Sequence, residues 1–420
     1  MTLLQAPSPL FTEDAVIFGI LMVILALVFY TSSSRHPFWT RFYKVVPSLL
    51  LCYFVPGLLN TFGLISGENS GLYHMASRYL LPAALVLFTL SVDFRGILKL
   101  GPKALVMFVT GSVGVVIGGP LALLVVSYFF PGILGGTGPD EAWRGLATVA
   151  GSWIGGGANQ VAMLEVFGAS PTLFSQMIAV DVIVANLWLA VLLYGAANSD
   201  RFDRILKADN TSIEELKLKV EKYRKENLRI PSLADTMMIL GLGFGVTGLS
   251  HFLAGYIAPW VSSNYPELKQ YSLDSSFFWL VVIATTGGLA LSFTKARTLE
   301  GAGASRLGSV LLYVLVATIG MQMDLLAIFN YPAFFIVGII WILFHAGLLI
   351  LMAYLIRAPL FLLAVGSQAN VGGAASAPIV ASAFHPALAP VGVLLAVLGY
   401  ALGTYGGYVC ALLLQWVSQL

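Results

Sequence analysis

The sequence predicts an all-α membrane protein made of two inverted repeats, each with five transmembrane helices and one re-entrant or broken-helix hairpin. Of its 420 residues, 58% are hydrophobic and only 10% are charged, whereas a typical soluble domain has about 25% charged residues. Apolar stretches of spanning length, about 20 residues each, follow one another along the chain. Two stretches rich in small residues interrupt this series at equivalent places.

The predicted spanning helices fall into two groups of five. Those of the first half are 15–30, 45–64, 73–92, 104–129 and 172–196. Those of the second half are 233–260, 276–293, 310–329, 332–356 and 388–416. An interruption precedes the last helix of each half, at 146–167 and at 360–384. We therefore divide the chain into a first repeat at 1–197, a charged cytoplasmic linker at 198–232 and a second repeat at 233–420.

The two interruptions share a sequence pattern. Gly-Ser stands at 151–152 and again at 366–367, and Gly-Gly-Ala stands at 156–158 and again at 372–374. The offset is 215 or 216 residues, and a constant offset of this kind indicates an internal repeat.

The positive charges predict the topology, because Lys and Arg accumulate in cytoplasmic loops. Nineteen of the 22 basic residues lie in the loops 35–44, 95–103, 201–229, 295–306 and at 357. These loops all lie on the same side of the membrane only if each interruption enters and leaves the membrane from the same face. The charges therefore favour re-entrant hairpins, an inverted second half, and both chain ends outside the cytoplasm of a multi-pass inner-membrane protein. A missed or additional helix remains the alternative, since helix boundaries are hard to place.

Composition and motifs exclude several function classes. The net charge is +2, and without a concentrated basic stripe no nucleic-acid partner is expected. No phosphate-binding G-x-x-x-x-G-K-[ST], no H-E-x-x-H and no G-x-S-x-G occurs, so the chain is not expected to be an enzyme. The five histidines lack metal-ligand spacing. We expect no cofactor apart from a coupling ion, either sodium or a proton.

Both interruptions are predicted to face a polar interior, because a helix break at membrane depth is tolerated only beside protein or a water-filled cavity. Half-helices present N-terminal ends to an anionic group and free carbonyls to a cation. The substrate-binding residues predicted here are Ser152, Trp153, Gly155, Gly156, Gly157, Ser367, Gly372, Gly373 and Ser376. The alternative interpretation is that small residues only permit close helix packing.

Asp181 lies near the middle of the predicted helix 172–196, where a charge costs at least about 2.5–3.5 kcal/mol on insertion scales. Such a cost favours a functional role. Oxygen donors suit a hard cation, and the predicted cation-binding residues are Asn159, Gln160, Asp181, Gln368 and Asn370, with Asp181, Asn159 and Asn370 as direct ligands of sodium. Asn186 is a further neighbour. Proton carriage by Asp181 and a purely structural carboxylate are the alternatives.

Three other polar residues of the predicted helices could serve the same solute. Glu165, at the far end of the first interruption, could line its access route. Arg78 and His345 could pair with a substrate carboxylate. Against this, Arg78 is near a helix end, where such side chains snorkel, and a lone histidine more often faces a polar helix partner.

The segments GSWIGGGANQ and GSQANVGGAAS, together with the inverted halves, resemble those of the YjcL-like uncharacterised membrane proteins of bacteria and plastids. That family is grouped with the cation:proton antiporter and anion transporter superfamily, which includes sodium:glutamate and 2-hydroxycarboxylate symporters. The resemblance covers nearly the whole chain. It implies a scaffold subdomain, a mobile core subdomain with both hairpins, a homodimer and elevator-like movement.

In antiporters of that superfamily, the carboxylate after the first break resembles Asp181. A tandem acidic pair is absent here, because Val180 and Val182 flank Asp181. We therefore expect a sodium-coupled secondary transporter of a small anionic organic solute, which has that solute, the lipid bilayer and a second copy of the chain as its partners. A monovalent cation:proton antiporter is the alternative, and a passive channel is a third class.

Overall fold

The structure is a computed structural model that describes residues 9–46, 48–67, 70–93, 98, 100–208, 230–271, 273–322, 332–385 and 388–420. Within these ranges the regular elements are helices, and the only β-type pairing is an isolated bridge between Phe11 and Ile65. Residues 209–229, which form most of the predicted linker, lie outside the described residues, as do Arg95 and Lys99.

The first half contains nine helices in the described ranges. They are α1 (Asp14–Ser32), α2 (Pro37–Val45), α3 (Ser48–Thr61), the composite α4 (Leu72–Met75, the π-helical turn Ala76–Leu80 and Leu81–Leu90), α5 (Pro102–Phe129), α6 (Ala142–Gly155), α7 (Gly157–Phe167), α8 (Pro171–Ala197) and α9 (Ser199–Leu206). His251 Nε2 lies 2.8 Å from the carbonyl oxygen of Arg78 in the π-helical turn, where the regular backbone ladder is interrupted.

The second half contains seven helices in the described ranges. They are α10 (Leu233–Asn264), α11 (Ser276–Ser292), α12 (Ala304–Gly320), α13 (Ala333–Ile356), α14 (Leu360–Val371), α15 (Gly373–Phe384) and α16 (Ala389–Val417). The 3-10 helix Lys295–Ala302 connects α11 to α12.

Six described helices are long and apolar enough to cross a membrane. They are α1, α5, α8, α10, α13 and residues 391–417 of α16. A seventh span results if α11 and the 3-10 helix after it, which meet at 95°, are taken together. The predicted membrane class is thereby confirmed. The finer count of ten crossings depends on shorter or interrupted helices, namely α3, α4, α11 and α12, and stays a prediction.

Each interruption folds back on itself as a pair of antiparallel helices. In the first pair, α6 and α7, which we call hairpin 1, Arg144 at the start of α6 donates a hydrogen bond to the carbonyl of Phe167 at the end of α7. In the second pair, α14 and α15, which we call hairpin 2, the rings of Phe361 and Phe384 lie 5.5 Å apart. The first and last residues of each pair are therefore neighbours, as a hairpin requires.

The helices form two groups. The hairpin bundle consists of α5, α8, α13 and α16 packed around both hairpins. The flanking bundle consists of α1, α3, α4, α10, α11 and α12. The first half of the chain contributes α1, α3 and α4 to the flanking bundle, and the second half contributes α10, α11 and α12. Each half contributes a helix, a hairpin and a final helix to the hairpin bundle.

The two hairpins enter the hairpin bundle from opposite ends. Hairpin 1 begins beside the start of α8, where the Ser170 amide donates to the Pro139 carbonyl. Hairpin 2 begins beside the end of α8, where Asp203 of α9 accepts a hydrogen bond of 2.7 Å from the amide of Leu360. Since the 27 residues of α8 span about 40 Å at 1.5 Å per residue, the hairpin bases lie that far apart.

Two further contacts bring several charged loops to the hairpin 2 end of the molecule. Lys103 Nζ donates to the carbonyl of Arg357 at 3.2 Å. Arg357 lies just before hairpin 2, which begins at Leu360. Arg297 and Asp93 form an ion pair between the loops after α11 and α4. The predicted clustering of these loops on one side is compatible with these contacts, whereas the identity of that side as cytoplasmic stays a prediction.

Glycine residues allow hairpin 1 to pack against α16 at backbone distance. A Cβ atom added to Gly403 would lie 2.5 Å from the Cα of Gly155, and one added to Gly407 would lie 3.2 Å from the Cα of Gly151. Glycine costs a helix about 1 kcal/mol relative to alanine, but small residues let helices approach where lipid supplies no hydrophobic driving force. The spacing of four residues on both helices makes this a continuous contact.

Gly403→Ala should destabilise the protein, because neither backbone can give way to the new methyl group. We expect a loss of about 1–3 kcal/mol in unfolding free energy, as for other overpacked sites, measured by thermal or denaturant unfolding in detergent. Gly248→Ala on α10 is the matched control, since a Cβ there meets nothing within 4 Å. Equal stability of both variants would contradict this packing.

Candidate functional site

The tips of the two hairpins lie next to each other. Each tip contains a glycine with positive φ, 75° at Gly156 and 57° at Gly373, a backbone conformation that residues other than glycine rarely adopt. A Cβ atom added to Gly373 would lie 3.9 Å from the Cα of Gly156. The structure therefore brings together the two breaks that the sequence predicts to meet.

Four helix ends converge at this contact. Hairpin 1 supplies the C-terminus of α6 and the N-terminus of α7, and hairpin 2 supplies the C-terminus of α14 and the N-terminus of α15. N-terminal ends have a partial positive charge and C-terminal ends a partial negative charge. Gly156, Gly157 and Gly372 at the tips remain half-buried, while the residues on either side are buried. The arrangement can offer both amide donors and carbonyl acceptors to a small guest.

Asp181 of α8 binds both helices of hairpin 1. Its Oδ2 accepts hydrogen bonds from Ser152 Oγ at 2.6 Å and from Gln160 Nε2 at 3.1 Å. Its Oδ1 accepts one from Trp153 Nε1 at 2.6 Å. The carboxylate is buried, so these three donors replace the water that it loses. Of the predicted site residues, Ser152, Trp153, Gln160 and Asp181 thus form one cluster.

The same helix also contacts hairpin 2. Trp188, seven residues after Asp181, donates from Nε1 to Ser367 Oγ at 2.8 Å. The central part of α8 therefore contacts hairpin 1 through Asp181 and hairpin 2 through Trp188.

Asn159 and Asn370 make the same set of bonds in the two hairpins. Asn159 donates to the carbonyls of Gly155 and Tyr400 at 2.9 and 3.2 Å, and accepts from Thr404 Oγ1 at 2.6 Å. In each case the amide bonds the carbonyl four residues earlier, a carbonyl on a facing helix and the hydroxyl four residues further along that helix.

For Asn370 the facing helix is α5. Its Nδ2 donates to Gly366 and Phe108 carbonyls at 2.9 and 3.0 Å, and its Oδ1 accepts from Ser112 Oγ at 2.6 Å. Both asparagines are fully buried. In this conformation the two asparagines brace the hairpins. Direct binding of sodium by Asn159 and Asn370 stays a prediction. It would have to use the remaining lone pair of each Oδ1 or replace one of the present hydrogen bonds.

Gln368 offers an oxygen with no protein partner. Its Nε2 donates to Ser376 Oγ at 2.7 Å, bridging the two helices of hairpin 2. Its Oε1 is buried and makes no hydrogen bond to the described residues. Gly372 lies directly under this bridge, since an added Cβ would be 2.1 Å from Gln368 Nε2. A buried unpaired carbonyl oxygen is costly, so binding a ligand at Gln368 Oε1 would remove this cost without breaking an existing bond of that oxygen.

His345 is part of a chain of hydrogen bonds inside the hairpin bundle. Its Nδ1 lies 2.9 Å from the Gly111 carbonyl, and its Nε2 lies 2.8 Å from Ser367 Oγ. A carbonyl only accepts, so Nδ1 carries the proton, and in the neutral ring Nε2 accepts from Ser367. His345 therefore faces polar helix partners, which is the alternative to a carboxylate-binding role.

A cavity of about 250 Å³ lies between the two bundles near the base of hairpin 1. Its lining residues include Tyr73, Glu165, Phe174, Ile319 and Gln322. Glu165 lines it and also binds across the bundles, whereas its place on an access route stays a prediction. It accepts a hydrogen bond from the Tyr73 hydroxyl and pairs with Arg78 Nη2 at 3.2 Å.

Arg78 also lies 4.4 Å above the Phe277 ring. In this conformation the guanidinium therefore has protein partners and is not free for a substrate carboxylate.

Several residues of the site could not be found from the sequence. Ser112, Tyr400 and Thr404 hold the two asparagines, yet they lie more than 240 residues away from their partners along the chain. Hydroxyl groups in apolar helices are common and usually bond their own helix, so no local signal distinguishes them.

Comparison with known proteins gives two findings. The profile of a family described as "Protein of unknown function (DUF819)" matches residues 19–417. The chain is also similar to the uncharacterized membrane protein YjcL of Bacillus subtilis (strain 168), with 26% identity over 352 residues, which cover 81% of this chain and 83% of that protein. The YjcL-like resemblance is confirmed by both.

Asn159→Ala and Asn370→Ala should each lower the unfolding free energy by about 2–4 kcal/mol, because three buried hydrogen bonds are lost and a cavity is left in their place. Asn186→Ala is the control, since its amide donates to the Val182 carbonyl of its own helix at 2.7 Å and makes no hydrogen bond to another of the described helices. Thermal unfolding without added sodium measures the effect. Unchanged stability of the first two variants would show that they are not braces.

Proposed function

The chain belongs to the DUF819 family of membrane proteins, and from that premise we propose that it is an ion-coupled secondary transporter. We propose sodium as the coupling ion and a small anionic organic solute as the substrate. The observation that carries the proposal is the meeting of two broken helix pairs beside a buried carboxylate.

The chemistry of the tips supports binding of an ion and an anion together. The C-terminal carbonyls of α6 and α14 and the unpartnered Gln368 Oε1 are oxygen donors suited to sodium. The N-terminal amides of α7 and α15 are suited to a carboxylate. Ser152, Ser367 and Ser376 are the proposed hydroxyl ligands, and each would have to share or exchange its present bond to Asp181, His345 or Gln368. A cation and an anion bound side by side neutralise each other, which reduces the cost of placing either in the membrane interior.

We also propose that the halves are inverted repeats and that the hairpin bundle moves against the flanking bundle as an elevator. The entry of the hairpins from opposite ends supports the inversion. The composition of the two bundles supports the movement, because both hairpins, Asp181 and the final helix of each half belong to one of them.

The contacts between the bundles also suit a sliding movement. Thr285 of α11 lies 3.2 Å from Thr404 of α16, hydroxyl to hydroxyl, and Thr286 lies 2.7 Å from the Tyr405 hydroxyl. Hydroxyl pairs can exchange one partner for another with little change in energy. The cavity beside Glu165 lies on the same boundary and provides an access route from one end.

Monovalent cation:proton antiport is the competing proposal, and a passive channel is the third. Proteoliposomes with an imposed sodium gradient and an interior pH dye separate the three. Labelled acidic amino acids and 2-hydroxycarboxylates are the first solutes to test. Accumulation that requires sodium supports symport, a pH change on sodium addition without solute supports antiport, and equilibration without accumulation supports a channel.

Asp181→Asn should abolish gradient-driven accumulation while leaving the fold intact, because the amide keeps the size of the carboxylate but loses its charge. Glu267→Gln, at an exposed position in the 3-10 helix Pro266–Tyr271 after α10, is the control and should transport normally. Uptake in proteoliposomes and the elution profile on size exclusion are the measurements. Normal uptake by Asp181→Asn would remove this residue from the mechanism.

A cross-link between the bundles should stop transport if they slide. Cysteines at Thr286 and Tyr405, whose side chains touch, can be joined by mercury or a short thiol reagent. The control pair is Thr31 and Tyr43, whose side chains lie 2.6 Å apart on α1 and α2 and do not connect the two bundles. Loss of uptake on cross-linking, reversed by reducing agent, is expected for the first pair only. Uptake that survives complete cross-linking at 286 and 405 would rule out sliding at this boundary.

A further inference from the structure

The nine-residue helix α2 has an aromatic side and a polar side. At about 100° per residue, Phe38, Phe42 and Trp39 fall within an arc of about 100°, while Thr40 and Arg41 fall on the other side of the helix. The rings contact one another: Phe38 lies 4.9 Å from Trp39 and 6.2 Å from Phe42 between centroids. A short helix with this pattern is typical of one that lies in the plane of a membrane surface.

Helix α1 fixes the depth of α2. Its 19 residues span about 28 Å at 1.5 Å per residue, which matches the hydrocarbon core of about 30 Å. Tyr43 of α2 is held at the last turns of α1, because its hydroxyl lies 2.6 Å from Thr31 Oγ1 and donates to the Val28 carbonyl at 3.2 Å. The helix α2 therefore lies at the level where α1 leaves the hydrocarbon.

The local sequence starts α2 at this level. Only residues 33–36 separate it from α1. Pro37 occupies the first helical position, where its fixed φ is favourable and its missing amide hydrogen is not needed. His36 caps the helix, since its Nδ1 accepts a hydrogen bond of 3.3 Å from the amide of Phe38. The orientation of the aromatic side is thus set by a defined helix and not by a loose connection.

The aromatic side of α2 lies on the perimeter of the described structure. Phe38 is 59% exposed, and Tyr30 in the last turn of α1 is 78% exposed. The buried residues of α1 form one narrow stripe, namely Ile17, Leu21, Leu25 and Val28. The rest of α1 therefore faces outward, toward lipid in a membrane-spanning helix. Aromatic side chains at this depth match the belts that membrane proteins place at the membrane–water boundary.

The charges of this region are all positive. Arg35, Arg41 and Lys44 lie in or beside α2, and no acidic residue occurs between Asp14 and Glu68. Arg35 and Arg41 are exposed, and neither forms an ion pair with the described residues. Guanidinium groups bind phosphate through two parallel hydrogen bonds. At the depth set by α1, the phosphates of lipid headgroups are the anions that these two side chains meet.

We propose that α2 is a binding surface for anionic phospholipid, in which Phe38, Trp39 and Phe42 enter the boundary of the acyl chains and Arg35 and Arg41 bind headgroup phosphates. Any bilayer satisfies the aromatic side, whereas the surplus of positive charge selects lipids with a net negative charge. The proposed transport site does not include this surface, so either inference can fail without the other.

Binding at α2 would act on the flanking bundle. The ring of Phe29 in α1 lies 4.6 Å from that of Tyr313 in α12, so α1 and the attached α2 pack against that bundle. An anchored α2 would hold the flanking bundle at a fixed depth in the bilayer. If the hairpin bundle moves as proposed above, this is the bundle that has to stay in place.

The test uses the full chain in phosphatidylcholine nanodiscs, with a fluorophore on Thr40→Cys. Thr40 is exposed and both natural cysteines are buried, so a polar thiol reagent labels position 40. Phosphatidylglycerol or phosphatidylcholine with a nitroxide on the acyl chain near the headgroup is added at the same low mole fraction. We expect the phosphatidylglycerol to quench the fluorophore several-fold more than the phosphatidylcholine.

The double variant Arg35→Gln, Arg41→Gln should lose this preference, at about fivefold for each charge removed. Arg35→Lys, Arg41→Lys keeps both charges and should retain most of it. The matched control is Arg201→Gln, Arg204→Gln, which removes the same charge from exposed positions of α9 and should leave the preference unchanged.

The aromatic side is tested separately by Phe38→Ser. This variant should lower the quenching by both lipids, because α2 loses part of its hold on the acyl chains. Elution on size exclusion checks that each variant is folded. Undiminished quenching in folded Phe38→Ser would remove this side chain from the lipid-binding surface.

Three results would overturn the inference as a whole. One is equal quenching by the two lipids in the chain that keeps Arg35 and Arg41. Another is an equal loss of preference in the α9 variant, which would mean that the lipid responds only to total charge. The third is quenching by neither lipid, with self-quenching between fluorophores of two protomers, since a second copy of the chain would then cover α2.

Discussion

A polypeptide in hydrocarbon has to pair every backbone N–H and C=O, because no water is present to do so. The rest of this structure depends on how the chain meets that requirement at the tips of its two hairpins. A continuous helix satisfies it automatically. A helix pair that turns back halfway leaves amides and carbonyls at the turn, so the turn has to be enclosed by other helices, and the two hairpins do this partly by meeting each other.

Enclosure without a hydrophobic driving force relies on close contact and on polar bonds. Glycines of α6 and α16 let hairpin 1 approach at backbone distance. Asn159 and Asn370 then fix each hairpin to a facing helix with the same three bonds. The asparagine follows the break in hairpin 1 and precedes the break in hairpin 2. The same three bonds are therefore made from different helices of the two hairpins. We infer that they answer the need to enclose each hairpin and do not simply reflect the internal repeat.

The boundary between the bundles has a different character. Within the hairpin bundle most of the buried polar side chains described above are hydrogen-bonded and the backbones interlock, although Gln368 Oε1 has no partner among the described residues. Across the boundary, contacts are made by hydroxyl pairs, by the ring stack of Phe88 on Tyr400 at 4.2 Å and by the Glu165 cluster beside a cavity. Such contacts can be exchanged one at a time, and this difference in character is the basis for treating the hairpin bundle as the mobile unit.

The sequence by itself determined the membrane class, the two breaks and the buried acid. Each of these depends on local composition: apolar length sets the spans, glycine runs break helices, and Asp181 is conspicuous in an apolar helix. The sequence also predicted that Ser152, Trp153, Gln160 and Asp181 belong to the transport site. The first three lie on either side of one break, and Asp181 lies in the helix that follows it.

Only the tertiary structure decided which distant residues complete that site. Ser112 and Thr404 lie on helices that are apolar on nearly every face, so no amphipathic stripe reveals which side turns inward. The rotation and crossing of such helices are set by packing between elements far apart in the chain. For the same reason, the roles of Asn159 and Asn370 as braces, and the tip contact between Gly156 and Gly373, became visible only once the helices were assembled.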